Sequence, residues 1–179
     1  RMLSISVQQG QMPAYRVKPA GNGRAPVILV VHEIFGVHEW IKDICRRLAH
    51  AGYYAIAPDL YARWGDATKE SDIQKLISGI VSKVPDAIVM DDLDRAAAFA
   101  AADGGDPSKL GITGFCWGGR ITWLYAAYSP RVDVGVAWYG RLTGENKPPI
   151  TTSQPIEVAA RLKAPVLGLY GGKDKGIPV

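Results

Sequence analysis

The chain has 179 residues, enough for one domain with a sizeable core and too few to require two. Hydrophobic residues make up 47% and charged residues 21%, which excludes a disordered chain and a coiled coil, and no apolar run approaches the ~20 residues of a membrane span. The net charge of +4 comes from scattered basic residues, the densest group being Arg46 and Arg47 on a predicted helix, so neither nucleic acid nor a membrane is expected as a partner.

In chain order, Leu3–Val7 and Ala14–Val17 flank the turn-prone Gln8–Pro13 and predict an antiparallel hairpin. Val27–Val31 is a continuous apolar, β-branched run, the pattern of a strand buried on both faces. Trp40–Ala49 follows as a helix, with Ile41, Ile44, Cys45 and Leu48 at helical spacing and Gly52 placed to end it. Tyr53–Ala57 is a short strand stopped by Pro58. Ile73–Val84 and Asp91–Ala102 read as helices, Lys109–Thr113 as a strand, Trp117–Ala127 as a helix and Val132–Trp138 as a strand. Ile156–Leu162 is a short helix and Val166–Tyr170 the last strand. Strands and helices alternate from residue 27 onward, which predicts a mostly parallel, doubly wound sheet with helices on both faces in one α/β domain over 1–179.

Arg1 to Gly10 lack the apolar stretch and cleavage site of a secretory signal. The two cysteines, Cys45 and Cys116, are too few for a multi-bridge disulfide framework, which suggests a reducing compartment or simply two unpaired thiols, and a cytoplasmic location is expected. The chain nevertheless opens on Arg1 rather than Met, which leaves room for a presequence removed ahead of it.

The decisive segment is Leu110–Gly119. A predicted buried strand runs into Gly114-Phe115-Cys116-Trp117-Gly118 and out into a helix, the pattern G-x-nucleophile-x-G of the α/β-hydrolase elbow, with cysteine where serine is commoner. So sharp a turn brings residues two positions either side into collision, so both must be glycine, and Gly119 lets the helix pack close to the sheet. The expected Cys116 sulfur stands at a helix N-terminus, where amides and the helix dipole favour thiolate. A buried structural cysteine beside a glycine-rich turn is the alternative.

Two further segments fit this arrangement. After the first long parallel strand comes His32-Glu33-Ile34-Phe35-Gly36-Val37, and in this fold that loop supplies one oxyanion-hole amide and the residue after the nucleophile the other. The backbone N–H groups of Ile34 and Trp117 are the expected donors. After the last strand comes Gly171–Pro178, in which Asp174 fits the acid that orients a catalytic histidine. An aspartate in a Gly/Lys loop also serves simply to shape a turn.

The combination of HEIFGV at 32–37, PDLYAR at 58–63, GFCWGG at 114–119 and GGKDKGIP at 171–178 resembles the dienelactone hydrolase family over nearly the whole chain. The resemblance implies a Cys-His-Asp triad with Cys116 as nucleophile and Asp174 as acid. It also implies that Glu33, which by itself reads as a solvated loop carboxylate, pairs with the resting thiol and takes part in activating it. No cofactor is implied.

The histidine of such a triad follows the acid in chain order, yet His32, His38 and His50 all precede Cys116. His50 closes a helix, His38 reads as an exposed loop residue, and His32 ends a central strand. The expectation is therefore a domain incomplete at its C-terminus, with the last strand and helix elements and the catalytic histidine beyond residue 179. A metal reading of His32-Glu33 and His38-Glu39 is disfavoured, because their spacing is six rather than four and no third ligand is evident.

The expected partner is a small-molecule ester or lactone. Carboxylesterase, thioesterase or peptidase specificity, or ligand binding without turnover, are the alternatives. Tyr61, Arg63, Trp64, Trp117, Trp138 and Tyr139 are candidate pocket walls. The resemblance also implies an arginine and a tyrosine between PDLYAR and the next long helix, gripping a substrate carboxylate. Here that stretch holds Lys69, Lys75 and Lys83 and neither residue type, which argues against dienelactone itself.

Overall fold

A computed structural model describes residues 1–177. Its elements run β1 (Met2–Val7), β2 (Gly10–Val17), β3 (Ala25–Val31), α1 (Glu39–His50), β4 (Tyr54–Pro58), α2 (Ile73–Gly79), α3 (Asp86–Ala102), β5 (Gly105–Phe115), α4 (Trp117–Tyr128), β6 (Val134–Trp138), α5 (Pro155–Val158) and β7 (Val166–Leu169). The seven strands form one sheet in the order β1-β2-β4-β3-β5-β6-β7. The β1–β2 hairpin is antiparallel, β2 joins β4 antiparallel, and the remaining pairings are parallel.

Alternation along β3 divides the core into two layers. Val27, Leu29 and Val31 face α3 and α4, where Val89, Leu93, Ala96, Ile121 and Tyr125 are buried against them. Val30 points to the other face, with Ala55, Ala57 and Phe115, and meets Ile41 and Cys45 of α1. Between α1 and the β5–β6 region lies an open apolar groove of about 770 Å³, lined among others by Ile28, Ile44, Phe115, Val136 and Trp138. Neither Cys116 nor Glu33 lines this groove, so it does not mark the elbow itself.

Element limits differ from the sequence expectations for local reasons. The helix expected over Ile73–Val84 stops at Gly79, a poor helix former, and a separate 3₁₀ turn, Val81–Lys83, follows. Helix α3 begins at Asp86, ahead of the expected Asp91, because Pro85 already presents an N-cap geometry. Strand β5 extends in both directions beyond Lys109–Thr113, and its register against β3 jumps from Asp106 to Leu110 between Pro26 and Val27. The expected helix at 156–162 is α5 and a 3₁₀ turn over Ala159–Arg161, opened by a Gln154–Glu157 capping box.

Candidate active site

Cys116 lies between β5 and α4 at φ 54° and ψ −113°, one of two non-glycine residues with positive φ among those described. Such a conformation is costly for a side chain with a Cβ and persists only where the surroundings enforce it. Here they do. A Cβ on Gly114 would stand 2.1 Å from the Gly118 carbonyl oxygen, and one on Gly118 would stand 2.4 Å from that of Val31. The Cys116 N–H donates to the Trp138 carbonyl at 3.0 Å, which fixes the elbow to the end of β6. Both glycines are thus required by close approach, as the turn geometry predicts.

The sulfur is half-buried. Burial pushes the Cys116 thiol above its ordinary value; a bond from the Trp117 N–H pulls it back, and the Glu33 charge pushes it up again. Arg141 lowers it and Asp174 raises it. The Trp117 amide thus acts in the direction expected of a helix N-terminus, while burial and the Glu33 charge act against it. Cys45, by contrast, is sealed inside α1, and burial raises its thiol to about 12.

The loop after β3 carries Glu33, whose charge acts on this sulfur. Gly36 at φ 73° turns the chain back, so that His38, the N-cap of α1, reaches Glu33. His38 Nε2 lies 2.6 Å from Glu33 Oε1, and because a carboxylate only accepts, the imidazole carries its proton on Nε2. The Glu33 side chain is only 12% exposed, and its Oε2 is buried with no partner among the described residues. Glu33 is no solvated loop carboxylate. His38, taken from the sequence as solvent-exposed, is 30% exposed and engaged.

His32 is fully buried. Its Nε2 accepts from the Leu60 N–H at 3.1 Å and its Nδ1 donates to the Glu33 carbonyl at 2.7 Å, so the ring is neutral and burial pushes its pKa down to about 4. The ring stacks on Trp117 at 5.6 Å and meets the edge of Tyr61 at 4.6 Å. With both nitrogens occupied, His32 shapes the loop that carries Glu33 and Ile34. Among the described residues nothing accepts from the Ile34 N–H.

Tyr61 is buried against Trp117 and its hydroxyl has no partner among the described residues. The charges of Cys116 and Glu33 add to burial in raising its pKa, as they do for Tyr139. Arg63 pairs with the buried Asp92, its guanidinium over Trp64. Trp138 stacks on Phe115, beside the apolar groove. Lys69, Lys75 and Lys83 are exposed.

Asp174 follows β7, and its Oδ1 accepts from the Gly176 N–H at 2.8 Å and the Ile177 N–H at 3.1 Å. It shapes its own turn, exposed to solvent, while Arg141 holds the loop through the Gly176 carbonyl at 3.1 Å. The turn reading of Asp174 is thus met in its hydrogen bonds. No histidine lies beside it among the described residues. Pro178, the end of the GGKDKGIP motif, lies outside the described residues. Among the described residues no group of three or more His, Cys, Asp or Glu side chains could hold a metal ion, and no helix is long and apolar enough to cross a membrane.

Residues 12–179 match the profile of the dienelactone hydrolase family. A protein of Methylorubrum extorquens, provisionally named carboxymethylenebutenolidase, is 62% identical over 178 residues, covering 99% of this chain and 61% of that protein. One of Escherichia coli K12 with the same provisional name is 57% identical over 176 residues, covering 98% of the chain and 65% of that protein. The chain thus spans a little over three fifths of each of these relatives. A crystal structure from Klebsiella pneumoniae, provisionally titled a dienelactone hydrolase, superposes with a TM-score of 0.96 at 55% identity, covering 99% of this chain and 74% of that one. The sheet and its covering helices are those of an α/β-hydrolase fold, as the alternation of elements and the elbow predict.

Proposed function

The chain belongs to the dienelactone hydrolase family, and from that premise we propose that it carries the nucleophile half of a hydrolase acting on ester or lactone bonds, with Cys116 as nucleophile. The observation that carries this reading is the enforced positive φ of Cys116, which lifts its sulfur off the strand end beside the Trp117 N–H and Glu33. A cysteine kept for packing alone has no need of so costly a backbone.

In this reading the sulfur attacks the carbonyl carbon, and the Ile34 and Trp117 amides receive the charge that develops on oxygen. Glu33 helps remove the thiol proton. The tetrahedral species then collapses, the carbon–oxygen bond breaks and the leaving oxygen takes up a proton. With a lactone that oxygen stays tethered to the acyl group. Water then attacks the thioester and restores the thiol. The proton shuttle this scheme calls for is a histidine oriented by Asp174, a place in chain order that His32, His38 and His50 do not take because all precede the nucleophile.

The resting thiol fits this scheme: a sulfur kept protonated until substrate enters is protected from oxidation and alkylation. The test is a panel of aryl esters, thioesters and lactones offered to the full-length protein and its Cys116→Ala variant. Turnover of at least one class that falls by about a thousandfold or more in the variant supports the reading. Turnover that survives the substitution overturns it. The class hydrolysed fastest decides between lactonase, carboxylesterase and thioesterase.

A further inference from the structure

The mechanism above uses Glu33 but leaves unexplained why its carboxylate stays where it is. Glu33 Oε2 is buried without a partner among the described residues, an arrangement that costs free energy and favours swinging the side chain into water. One contact opposes that motion, the 2.6 Å hydrogen bond from His38 Nε2 to Oε1. His38 is itself held. Its backbone N–H donates to the Gly36 carbonyl at 3.0 Å, its carbonyl accepts from the Lys42 N–H at 3.1 Å at the start of α1, and its ring lies parallel to Trp40 at 6.4 Å. A ring fixed by a helix start on one side and an indole on the other is a rigid anchor for a mobile carboxylate.

We propose that His38 is a positioning residue, a latch that holds the Glu33 carboxylate in its buried position through the Nε2–Oε1 hydrogen bond. The proposal rests on the reading of Cys116 and Glu33 as a functional pair. The groups that face this pair are His32 from the same loop, Tyr61 from the segment after β4, Tyr139 from the end of β6, and Arg141 and Asp174 across the elbow. The latch works with a neutral or a charged imidazole, because Nε2 bears a proton in both. Losing the donor releases Glu33 toward solvent, where its charge is screened and no longer opposes thiolate formation.

The test is the pH dependence of Cys116 alkylation by iodoacetamide, read peptide by peptide in the full-length protein. Cys45, sealed in the core, should stay unlabelled and so reports that each variant is folded. His38→Ala should move the Cys116 profile to lower pH by about half to one unit, a three- to tenfold faster labelling at fixed pH below the midpoint. His38→Gln, whose amide offers a donor near the position of Nε2, should restore the wild-type profile. A purely packing role for His38 predicts no such rescue. Superimposable wild-type and His38→Ala profiles, or a His38→Gln profile that follows His38→Ala, overturn the latch. Because alkylation needs no substrate, its outcome is separate from the ester assay. Loss of turnover in Cys116→Ala with unmoved profiles defeats the latch alone, whereas turnover that survives Cys116→Ala defeats the hydrolase reading.

Discussion

The Leu60 N–H donates to His32 Nε2 across the exits of β3 and β4, two adjacent parallel strands. That bond requires a neutral ring. Because His32 is fully buried, protonating it breaks the bond and places an unpaired charge in the core. Its folded pKa of about 4 lies below the unfolded value of 6.5, so the unfolded chain binds more protons between these limits. The stabilisation is complete above about pH 6.5 and is lost as pH falls toward 4, to a total of roughly 3 kcal/mol. Urea unfolding at closely spaced pH values should show the loss beginning below about pH 6.5, ahead of most carboxylate titration. His32→Gln should be less stable at neutral pH and lack that slope. Equal slopes in the two proteins would refute the assignment.

The elbow gives a paired prediction about glycine. On Gly118 a Cβ would press against the carbonyl oxygens of Val31 at 2.4 Å and His32 at 2.5 Å, both backbone atoms that cannot yield without moving β3 and its loop. On Gly79, at the end of α2, a Cβ would meet nothing within 4 Å. Gly118→Ala should therefore destabilise by more than about 3 kcal/mol, while Gly79→Ala should gain up to about 1 kcal/mol. Chemical denaturation of the two variants checks the contrast, and similar stabilities would show that the elbow has slack.

Arg120, one turn into α4, is anchored just as firmly. Its two terminal nitrogens each bond one Asp86 oxygen at 2.8 Å, its Nε reaches Gln154 Oε1 at 3.1 Å, and both ionic side chains are 10% exposed. Removing one member leaves a buried charge unpaired. Arg120→Met should cost about 3–5 kcal/mol, and the double variant Asp86→Leu with Arg120→Met should recover much of that loss. Unfolding midpoints that fall further in the double variant would contradict the pairing.

Tyr61 offers a smaller effect of opposite sign. Its hydroxyl is buried with no partner among the described residues, so Tyr61→Phe removes a desolvation cost without removing a hydrogen bond. Thermal unfolding of this variant should show unchanged or slightly raised stability. A loss above about 1 kcal/mol would mean that the hydroxyl is bonded in solution.

The parts of this structure that were legible in the sequence are those set by local rules. The apolar run at 27–31 and the alternation of elements announced a parallel sheet, and paired glycines around Cys116 announced a turn that only glycine permits. What escaped depends on contacts between segments distant in sequence, or on a turn too tight for spacing rules. His38 reads as a loop residue because nothing in a five-residue separation says that Gly36 will fold it back onto Glu33. His32 reads as the end of a strand because its second partner, Leu60, comes from a neighbouring strand exit. Arg63 does line a small pocket, but the sequence gives no sign that Asp92 of α3 holds it there. The surroundings of the Cys116 thiol are legible only in part for a related reason: its helix position is written in the sequence, but its burial and the charge of Glu33 acting on it are not.

Acylation of Cys116 tests the central claim most directly. Full-length protein is mixed with an activated aryl ester, quenched in acid within the first turnover, digested and weighed. The account predicts a single acyl group, carried on the peptide that contains Cys116 and absent from the Cys116→Ala variant, with release of the aryl alcohol matching its amount. Hydrolysis that proceeds with Cys116 unmodified, or an acyl group found on another side chain at the same yield in the variant, would contradict it.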